Sequence, residues 1–237
     1  MRSGRVVRGT AAAARGLVVF DLDGTLLDGY AAIGDALAHA MERFRLTPPA
    51  PATLRGMVGE GLERLLEKAV GSDRAAEGVR IFRERYPDVA IRLSHLLPDV
   101  PAVLDELART GWRMAVASNK PAVFSRQILE AKGVASYFFE IAGPDAATPP
   151  KPHPAMLLRI LSEAGVPSSD AFVVGDMEID AALARAGGCR VALVPGGSRS
   201  PEELAAVDSD GVLGALRELP AWLEEQWRAA ARHTIAP

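Results

Sequence analysis

The sequence predicts an α/β fold, a doubly wound parallel sheet with a helical segment inserted after the first strand. Short, continuously apolar runs of strand length alternate with amphipathic segments of helical length along most of the chain. Such runs are typical of parallel strands that are covered on both faces. Between the first run and the others, residues 29–95 show helical periodicity without a convincing strand.

The predicted strands are short and uniformly apolar. Several of them end in a polar residue or a glycine, as strands of such sheets commonly do. They are the runs at residues 17–20, 114–117, 138–141, 172–174 and 191–194.

Helices are predicted between these strands. Pro121 and Pro154 each occupy a favourable position for opening a helix, and Gly133 and Gly165 close the two segments. The second of these helices is expected to place three apolar side chains on one face, namely Leu157, Leu158 and Leu161.

Residues 29–95 are predicted to form a small helical cap domain. Apolar residues at helical spacing cover 30–46, 60–70 and 74–86, and a proline-rich break interrupts them at 48–51. The core domain is assigned to residues 17–28 and 96–237. Residues 1–16 form an Arg- and Ala-rich leader that is expected to be disordered, although organelle transit peptides share this composition.

The composition favours a soluble cytoplasmic protein. The formal net charge of −3 gives no electrostatic reason to expect a nucleic-acid partner. Cys189 is the single cysteine, so nothing requires an oxidising compartment. No apolar run approaches the ~18 residues of a membrane span, so no membrane partner is expected. The oligomeric state is left open.

Polar residues follow the first predicted strand at the edge of the sheet where ligands bind in this class of fold. Asp21 and Asp23 are two residues apart, and on an extended backbone such residues face the same way. Both carboxylates are therefore expected to reach one point, with Gly24 permitting the tight turn that follows. Taken alone, this pattern is more typical of a surface turn, and the other strand ends are needed to change that interpretation.

Three later loops carry further candidates. Ser118 and Asn119 follow the second core strand, where a hydroxyl group and helix-start amides can bind an anion. Lys151 is presented on a loop that prolines stiffen. Asp176 and Asp180 follow the strand at 172–174 and are expected to share one side of a helical turn.

Jointly, these residues predict phosphoryl transfer. Carboxylates at neighbouring strand ends repel one another unless a cation lies between them. Oxygen ligands suit Mg²⁺, which also binds phosphate. Serine, backbone amides and lysine can bind the remaining phosphoryl oxygens. A carboxylate can act as the nucleophile, and Asp23 is placed to serve as proton donor and base.

The ordered set resembles the haloacid dehalogenase-like phosphohydrolase superfamily. Four signatures of that family match Phe20-Asp21-Leu22-Asp23-Gly24-Thr25, Ser118-Asn119, Lys151-Pro152 and Gly175-Asp176 with Asp180. The resemblance implies a Rossmann-like core in which Asp21 is the nucleophile and Asp23 the acid and base. It implies Mg²⁺ held by Asp21, the backbone carbonyl of Asp23 and Asp176, with Asp180 supporting the metal or the lysine. It also implies phosphate contacts from Gly24, Thr25, Ser118, Asn119 and Lys151.

Within that superfamily the chain is most similar to phosphoglycolate phosphatases. The similarity rests on residues 58–66 of the cap and on the runs at 118–121 and 151–154. It implies a phosphatase that acts on phosphoglycolate or a similar small phosphorylated metabolite. Amides near Gly59 and Gly61, together with Arg55 or Arg64, are candidates for binding the carboxylate of such a substrate.

Other functions are compatible with the same residues. A phosphomutase of this superfamily, similar to β-phosphoglucomutase, would return the phosphoryl group to the sugar. A receiver-like phospho-acceptor domain also places acids, a hydroxyl and a lysine around Mg²⁺, but receivers are shorter and have no cap. A dehalogenase is disfavoured, because that branch lacks an acid at the position of Asp23.

Overall fold

A computed structural model describes residues 15–144 and 148–234 of the chain. Its central sheet consists of the strands β1 (Leu17–Phe20), β4 (Arg113–Ala117), β5 (Glu140–Ala142), β6 (Ala171–Gly175), β7 (Arg190–Leu193) and β8 (Gly211–Val212), numbered in chain order. They lie in the order β5–β4–β1–β6–β7–β8, and each neighbouring pair is parallel. This architecture confirms the predicted doubly wound α/β fold.

Helices cover both faces of the sheet. Val18 and Phe20 of β1 pack with α5 (Val100–Arg109), α6 (Ala122–Ala131) and α10 (Leu219–Thr234). Leu17 and Val19 point to the opposite face and pack with α7 (Ala155–Ala164), α8 (Glu178–Gly187) and α9 (Pro201–Ala205). Successive side chains of a strand point to opposite faces. A strand that is covered on both faces must therefore be apolar at every position, and this explains the continuous runs in the sequence.

The structure corrects three local predictions. The strand predicted at 138–141 begins two residues later, because Phe138 packs edge-on against Phe20 with ring centroids 6.3 Å apart. The two-residue strand β8 was not predicted and is too short to show a periodicity. Leu158 was expected on the buried face of α7 but is 50% exposed, since Met156 and Ile160 complete that face.

Residues 29–94 form a helical insert. It contains α1 (Tyr30–Arg43), α2 (Pro51–Met57), α3 (Leu62–Val70) and α4 (Ser72–Leu93). The short strands β2 (Leu27–Asp28) and β3 (His95–Leu96) pair antiparallel, so the chain leaves and rejoins the core at one place. Helix α2 was not predicted, because the proline-rich run was interpreted as a break alone. Pro51 is its first residue, a position at which a helix does not need the backbone N–H. The assignment of a separate cap domain stays a prediction.

The loops that follow β1, β4 and β6 meet at one edge of the sheet. Phe20 lies opposite Val116 and Val174 in the strand register. The backbone N–H of Asp21 continues this pairing and donates to the Val174 carbonyl at 2.8 Å. The carboxyl ends of the three strands therefore coincide, which places the loops that begin at residues 21, 118 and 176 side by side.

Two further predictions concern the N-terminal leader and the cellular location of the protein. Residues 1–14 of the predicted leader lie outside the described residues. Among the helices that the structure describes, none is long and apolar enough to cross a membrane. The cytoplasmic location and the absence of nucleic-acid partners stay predictions.

Candidate active site

Asp21 lies at the end of β1 beside a buried lysine. Its Oδ1 accepts a hydrogen bond of 2.6 Å from Nζ of Lys151. Leu22, the next residue, is fully buried in the core, whereas Asp21 and Asp23 both face the cavity described below. This alternation confirms that the two carboxylates point the same way.

Asp23 has a different cationic partner. Its carboxylate contacts Nζ of Lys120 at 2.7 Å, and Lys120 is a buried residue that the sequence interpretation had left without a role. Burial alone would lower the pKa of Lys120, but the charge of Asp23 raises it above its usual value. The two acids after β1 are thus each paired with their own ammonium group.

The position of Lys151 depends on neighbours as well as on the prolines of its loop. Its backbone N–H donates to Oδ1 of Asn119 at 2.7 Å, and its carbonyl accepts from Nδ2 of the same side chain at 3.3 Å. Its Nζ contacts Asp180 at 2.8 Å in addition to Asp21. Burial lowers the pKa of Lys151, but the carboxylates of Asp180 and Asp21 raise it by more than burial lowers it. The side chain is therefore an ammonium at neutral pH.

Asp180 is engaged through both of its oxygens. Oδ1 binds Lys151, and Oδ2 accepts from the backbone N–H groups of Asp176 and Met177 at 3.2 Å each, at the N-terminus of α8. Asp176 precedes the helix, so the predicted helical turn starts two residues later than expected. The two acids nevertheless lie on the same side. Burial raises the pKa of Asp180 to about 6, against the opposing effect of Lys151.

The buried carboxyl group of Asp176 has unused hydrogen-bonding capacity. Oδ1 accepts from the hydroxyl of Thr25 at 3.3 Å, but Oδ2 is buried and has no hydrogen-bond partner among the described residues. Burial raises the pKa of this carboxyl well above its usual range, and the charges of Asp21 and Asp180 add to the effect. A buried acceptor without a partner is costly, typically by about 1–3 kcal/mol. Some other group is therefore expected to satisfy it.

The carboxylates fit a hard divalent cation. One oxygen from each of Asp21, Asp176 and Asp180 lies within 4.8 Å of the others. When these three acids and Asp23 are all ionised, four carboxylates face two ammonium groups, those of Lys120 and Lys151, which leaves two negative charges. A cation of charge +2 would balance them, and oxygen-only ligands are what such cations prefer. Because Asp180 is occupied by Lys151 and the backbone, Asp21 and Asp176 are the better placed ligands.

Glycines let the backbone approach Asp176 closely. A Cβ atom at Gly24 would lie 2.4 Å from Oδ2 of Asp176, and one at Gly197 would lie 1.6 Å from it. Gly24 has φ of +92°, which L side chains rarely adopt. Gly197 belongs to the loop after β7, which the sequence interpretation did not include in the site.

A cavity opens from this edge of the sheet toward the helical insert. Among the predicted site residues, its wall includes Asp21, Asp23, Ser118, Asn119 and Gly59. The rest of the wall is mainly apolar and aromatic and comes from α1, α3, α4 and α6, with Val58 after α2 and Met177 before α8. Its members are Ile33, Val58, Leu62, Leu65, Phe82, Phe124 and Met177, with Tyr30 and Tyr86 adding hydroxyl groups. These wall residues were missed, because apolar helix periodicity indicates burial and not which cavity a side chain borders.

Several predicted contacts are placed elsewhere. Thr25 is buried against Asp176, and Asn119 uses its side-chain amide to join the carbonyl of Gly59 at 3.0 Å to the Lys151 loop. Arg55 pairs with Asp28 at 3.2 Å and lies over the ring of Tyr30. Arg64 is exposed and pairs with glutamates of its own helical region. Within the described residues neither arginine belongs to the cavity wall, and their predicted contact with a substrate carboxylate stays untested.

Comparison with known proteins yields consistent matches. The family model for haloacid dehalogenase-like hydrolases matches residues 18–194. A phosphoglycolate phosphatase of Vibrio parahaemolyticus is 33% identical over 86% of this chain and 93% of its own length. A plasmid-encoded phosphoglycolate phosphatase of Cupriavidus necator is 34% identical, covering 87% of this chain and 92% of its own. A crystal structure described as a predicted phosphatase from Clostridium acetobutylicum superposes with a TM-score of 0.82 at 25% identity, over 90% of this chain and all of that one.

Proposed function

The chain belongs to the haloacid dehalogenase-like hydrolases, as a phosphatase similar to their phosphoglycolate phosphatases, and from that premise we propose that it hydrolyses a small phosphate monoester through an aspartyl-phosphate at Asp21 with Mg²⁺ as cofactor. The observation that carries the proposal is the buried cluster of Asp21, Asp176 and Asp180 around Lys151, in which one oxygen of Asp176 has no hydrogen-bond partner in the described part of the chain. Such a cluster is poorly suited to stability alone, because three buried acids repel one another.

The cofactor would be held by Asp21 and Asp176, with the backbone carbonyl of Asp23 as the further ligand that the family resemblance implies. When bound, the divalent ion would offset negative charge on the carboxylates and on the phosphoryl oxygens. The phosphoryl group is then bound by Ser118 and by the Lys151 ammonium, which places positive charge where the transition state is negative. These roles are part of the proposal, and the positions of the residues at one edge of the sheet support it.

The reaction proceeds in two displacements at phosphorus. A carboxylate oxygen of Asp21 attacks the phosphorus atom, and the bond from phosphorus to the leaving oxygen breaks while Asp23 donates a proton to that oxygen. Water then attacks the phosphorus of the aspartyl-phosphate, Asp23 takes a proton from the water, and phosphate leaves as Asp21 is regenerated. Asp23 lies in the cavity wall beside Asp21, so one carboxyl group can serve both proton transfers.

The substrate we propose is phosphoglycolate or a similarly small phosphorylated metabolite. The names of the Vibrio and Cupriavidus relatives support this class. The cavity supports it as well. Its volume of about 90 Å³ suits a ligand of a few heavy atoms beyond the phosphoryl group.

The test is a panel of phosphate esters assayed with Mg²⁺, without it and with EDTA. We expect phosphate release that requires the divalent ion, with phosphoglycolate among the better substrates. Acid quenching with ³²P-labelled substrate should trap label on the wild-type protein and none on Asp21→Asn, which should keep the native circular dichroism spectrum. Turnover that survives in Asp21→Asn would remove the covalent mechanism, and an isomerised sugar phosphate in place of free phosphate would identify a mutase.

A further inference from the structure

Lys120 is a buried cation for which the proposed chemistry has no use. Its side chain is 5% exposed, and it stands between Asn119 and Pro121 in the loop that leads from β4 to α6. The proposed phosphoryl contacts use Ser118 and Lys151, and the proton transfers use Asp23. A buried ammonium is expensive to retain unless partners compensate its desolvation. The groups that surround the Lys120 ammonium therefore indicate its role.

The ammonium of Lys120 has donor capacity beyond its one anionic partner. Among the described residues its Nζ contacts the carboxylate of Asp23, at 2.7 Å. It also lies 5.6 Å from the centroid of the Tyr86 ring, which belongs to α4 of the helical insert. A lysine ammonium carries three N–H donors, and it can bind a second acceptor while it keeps the first.

Tyr86 adds a second donor at the same place. Its side chain is buried, 3% exposed, and its hydroxyl has no hydrogen-bond partner among the described residues. Burial raises the pKa of this phenol, so the hydroxyl stays protonated and available as a donor. Its ring is held between Phe82, stacked at 5.2 Å, and Phe124, edge-on at 5.2 Å. The hydroxyl is thus fixed in position, and its O–H group has no acceptor among the described residues.

Both groups face the cavity that holds Asp21. Lys120 and Tyr86 belong to its wall together with Asp21, Asp23 and Ser118. Arg83 is the other cationic side chain of that wall, but it is 54% exposed and pairs with Glu63 at 3.2 Å. The apolar remainder of the wall excludes water, which strengthens the attraction of an ammonium for an anion. A ligand in the cavity therefore meets the buried ammonium of Lys120 and, close to it, the hydroxyl donor of Tyr86.

We propose that the Lys120 ammonium and the Tyr86 hydroxyl bind a carboxylate on the leaving group of the substrate, so that the enzyme selects small phosphate monoesters that carry a carboxylate. This inference rests on the proposed function and names the residues that give it specificity. It replaces Arg55 and Arg64, which pair with acids away from the cavity wall. Lys120 comes from the core and Tyr86 from the insert, so both parts of the chain contribute to the recognition site.

The test compares two phosphonates that differ in one group. 3-Phosphonopropionate has the skeleton of phosphoglycolate with carbon in place of the bridging oxygen, and propylphosphonate has a methyl group in place of the carboxylate. Neither is hydrolysed, so their dissociation constants can be measured by calorimetry in the presence of Mg²⁺. The carboxylate preference is the ratio of the two constants, and we expect the wild-type protein to prefer 3-phosphonopropionate.

The variants separate this proposal from its rivals. Lys120→Met should reduce the carboxylate preference by about ten-fold or more, and Tyr86→Phe by several-fold, as expected for lost hydrogen bonds to a charged group in a dry site. Arg83→Met should leave the preference at the wild-type value. So should Tyr137→Phe, which removes an exposed hydroxyl that is bonded to Asp105 on the core.

Three results would overturn the inference. The first is a wild-type protein without a carboxylate preference, the second is a preference that persists in both Lys120→Met and Tyr86→Phe, and the third is a preference that disappears in Arg83→Met. If Lys120→Met does not fold, Tyr86→Phe decides, because it retains the ring and removes a hydroxyl that donates to no acceptor among the residues the structure describes. Since binding is measured without turnover, failure of the proposed phosphatase reaction would be seen separately, as absence of phosphate release from every ester.

Discussion

Lys151→Met tests whether the buried ammonium holds the acidic cluster together. The Lys151 Nζ lies 2.6 Å from Asp21 and 2.8 Å from Asp180, and its side chain is 2% exposed. At an effective dielectric constant of ~20, each contact corresponds to roughly 6 kcal/mol of attraction before the cost of desolvation. Removal of one member of a buried pair typically costs about 3–5 kcal/mol net, because the remaining charges stay buried without compensation. Methionine preserves most of the side-chain volume, so the loss of stability can be attributed to the missing charge.

The assay is thermal unfolding followed by circular dichroism at neutral pH in EDTA. For a chain of this size, 1 kcal/mol corresponds to about 2–4 °C, so a loss of about 4 kcal/mol predicts a decrease in Tm of roughly 8–16 °C. The matched control is Lys68→Met. Lys68 contacts Glu60 at the same distance, 2.6 Å, but the two side chains are 32% and 45% exposed. An exposed pair contributes about 0–1 kcal/mol, so the control should stay within a few degrees of the wild type.

The reasoning would be refuted by equal Tm values for Lys151→Met and Lys68→Met. That result would mean that water or rearranged neighbours compensate Asp21 and Asp180 as well as the ammonium does. If the stability loss is found, the same variant should also lose about 10²–10³ in kcat, since one charge-stabilising donor in an active site contributes that much.

Three further predictions concern other parts of the molecule. Asp23→Asn should lower kcat by about 10²–10⁴ through loss of proton transfer while phosphonate binding persists, and a kcat near the wild-type value would exclude Asp23 as acid and base. Gly197→Ala places a Cβ atom 1.6 Å from Oδ2 of Asp176, so it should weaken Mg²⁺ binding in calorimetry, and unchanged affinity would show that Asp176 is not a ligand. Burial raises the pKa of Cys189 to about 11, so its thiol should react with Ellman's reagent at neutral pH only as fast as the protein unfolds, whereas immediate reaction would contradict its burial.

The chemistry of the site was largely accessible from sequence because its residues directly follow strands. A parallel strand covered on both faces is recognised from its unbroken apolarity, and the carboxyl ends of neighbouring strands lie at one edge. The positions of Asp21, Asp23, Ser118 and Asp176 after such runs therefore implied their proximity before any coordinates. The structure brings Asp21 and Asp176 together in the acidic cluster beside Lys151, and Asp21, Asp23 and Ser118 border one cavity, although their catalytic roles stay a proposal.

The partners of these residues were not accessible in the same way. Lys120 and Asp23 are separated by 97 positions in the chain, and no local pattern links them. The same holds for Asn119, whose side-chain amide joins the Gly59 carbonyl to the Lys151 loop, while its predicted contact with the substrate stays a prediction. Whether two such residues form a hydrogen bond depends on the distance between them in the folded chain.

The sequence by itself determined the α/β sheet, the helical insert after its first strand and the acidic loops at the ends of its strands. All of these depend on local apolarity, turn residues and the geometry of parallel strands. The tertiary structure alone decided which acid pairs with which lysine, which face of α7 is buried and which side chains of the insert border the cavity. These features arise from the packing of segments that are distant in sequence, and periodicity carries no information about the segment against which a helix face will pack.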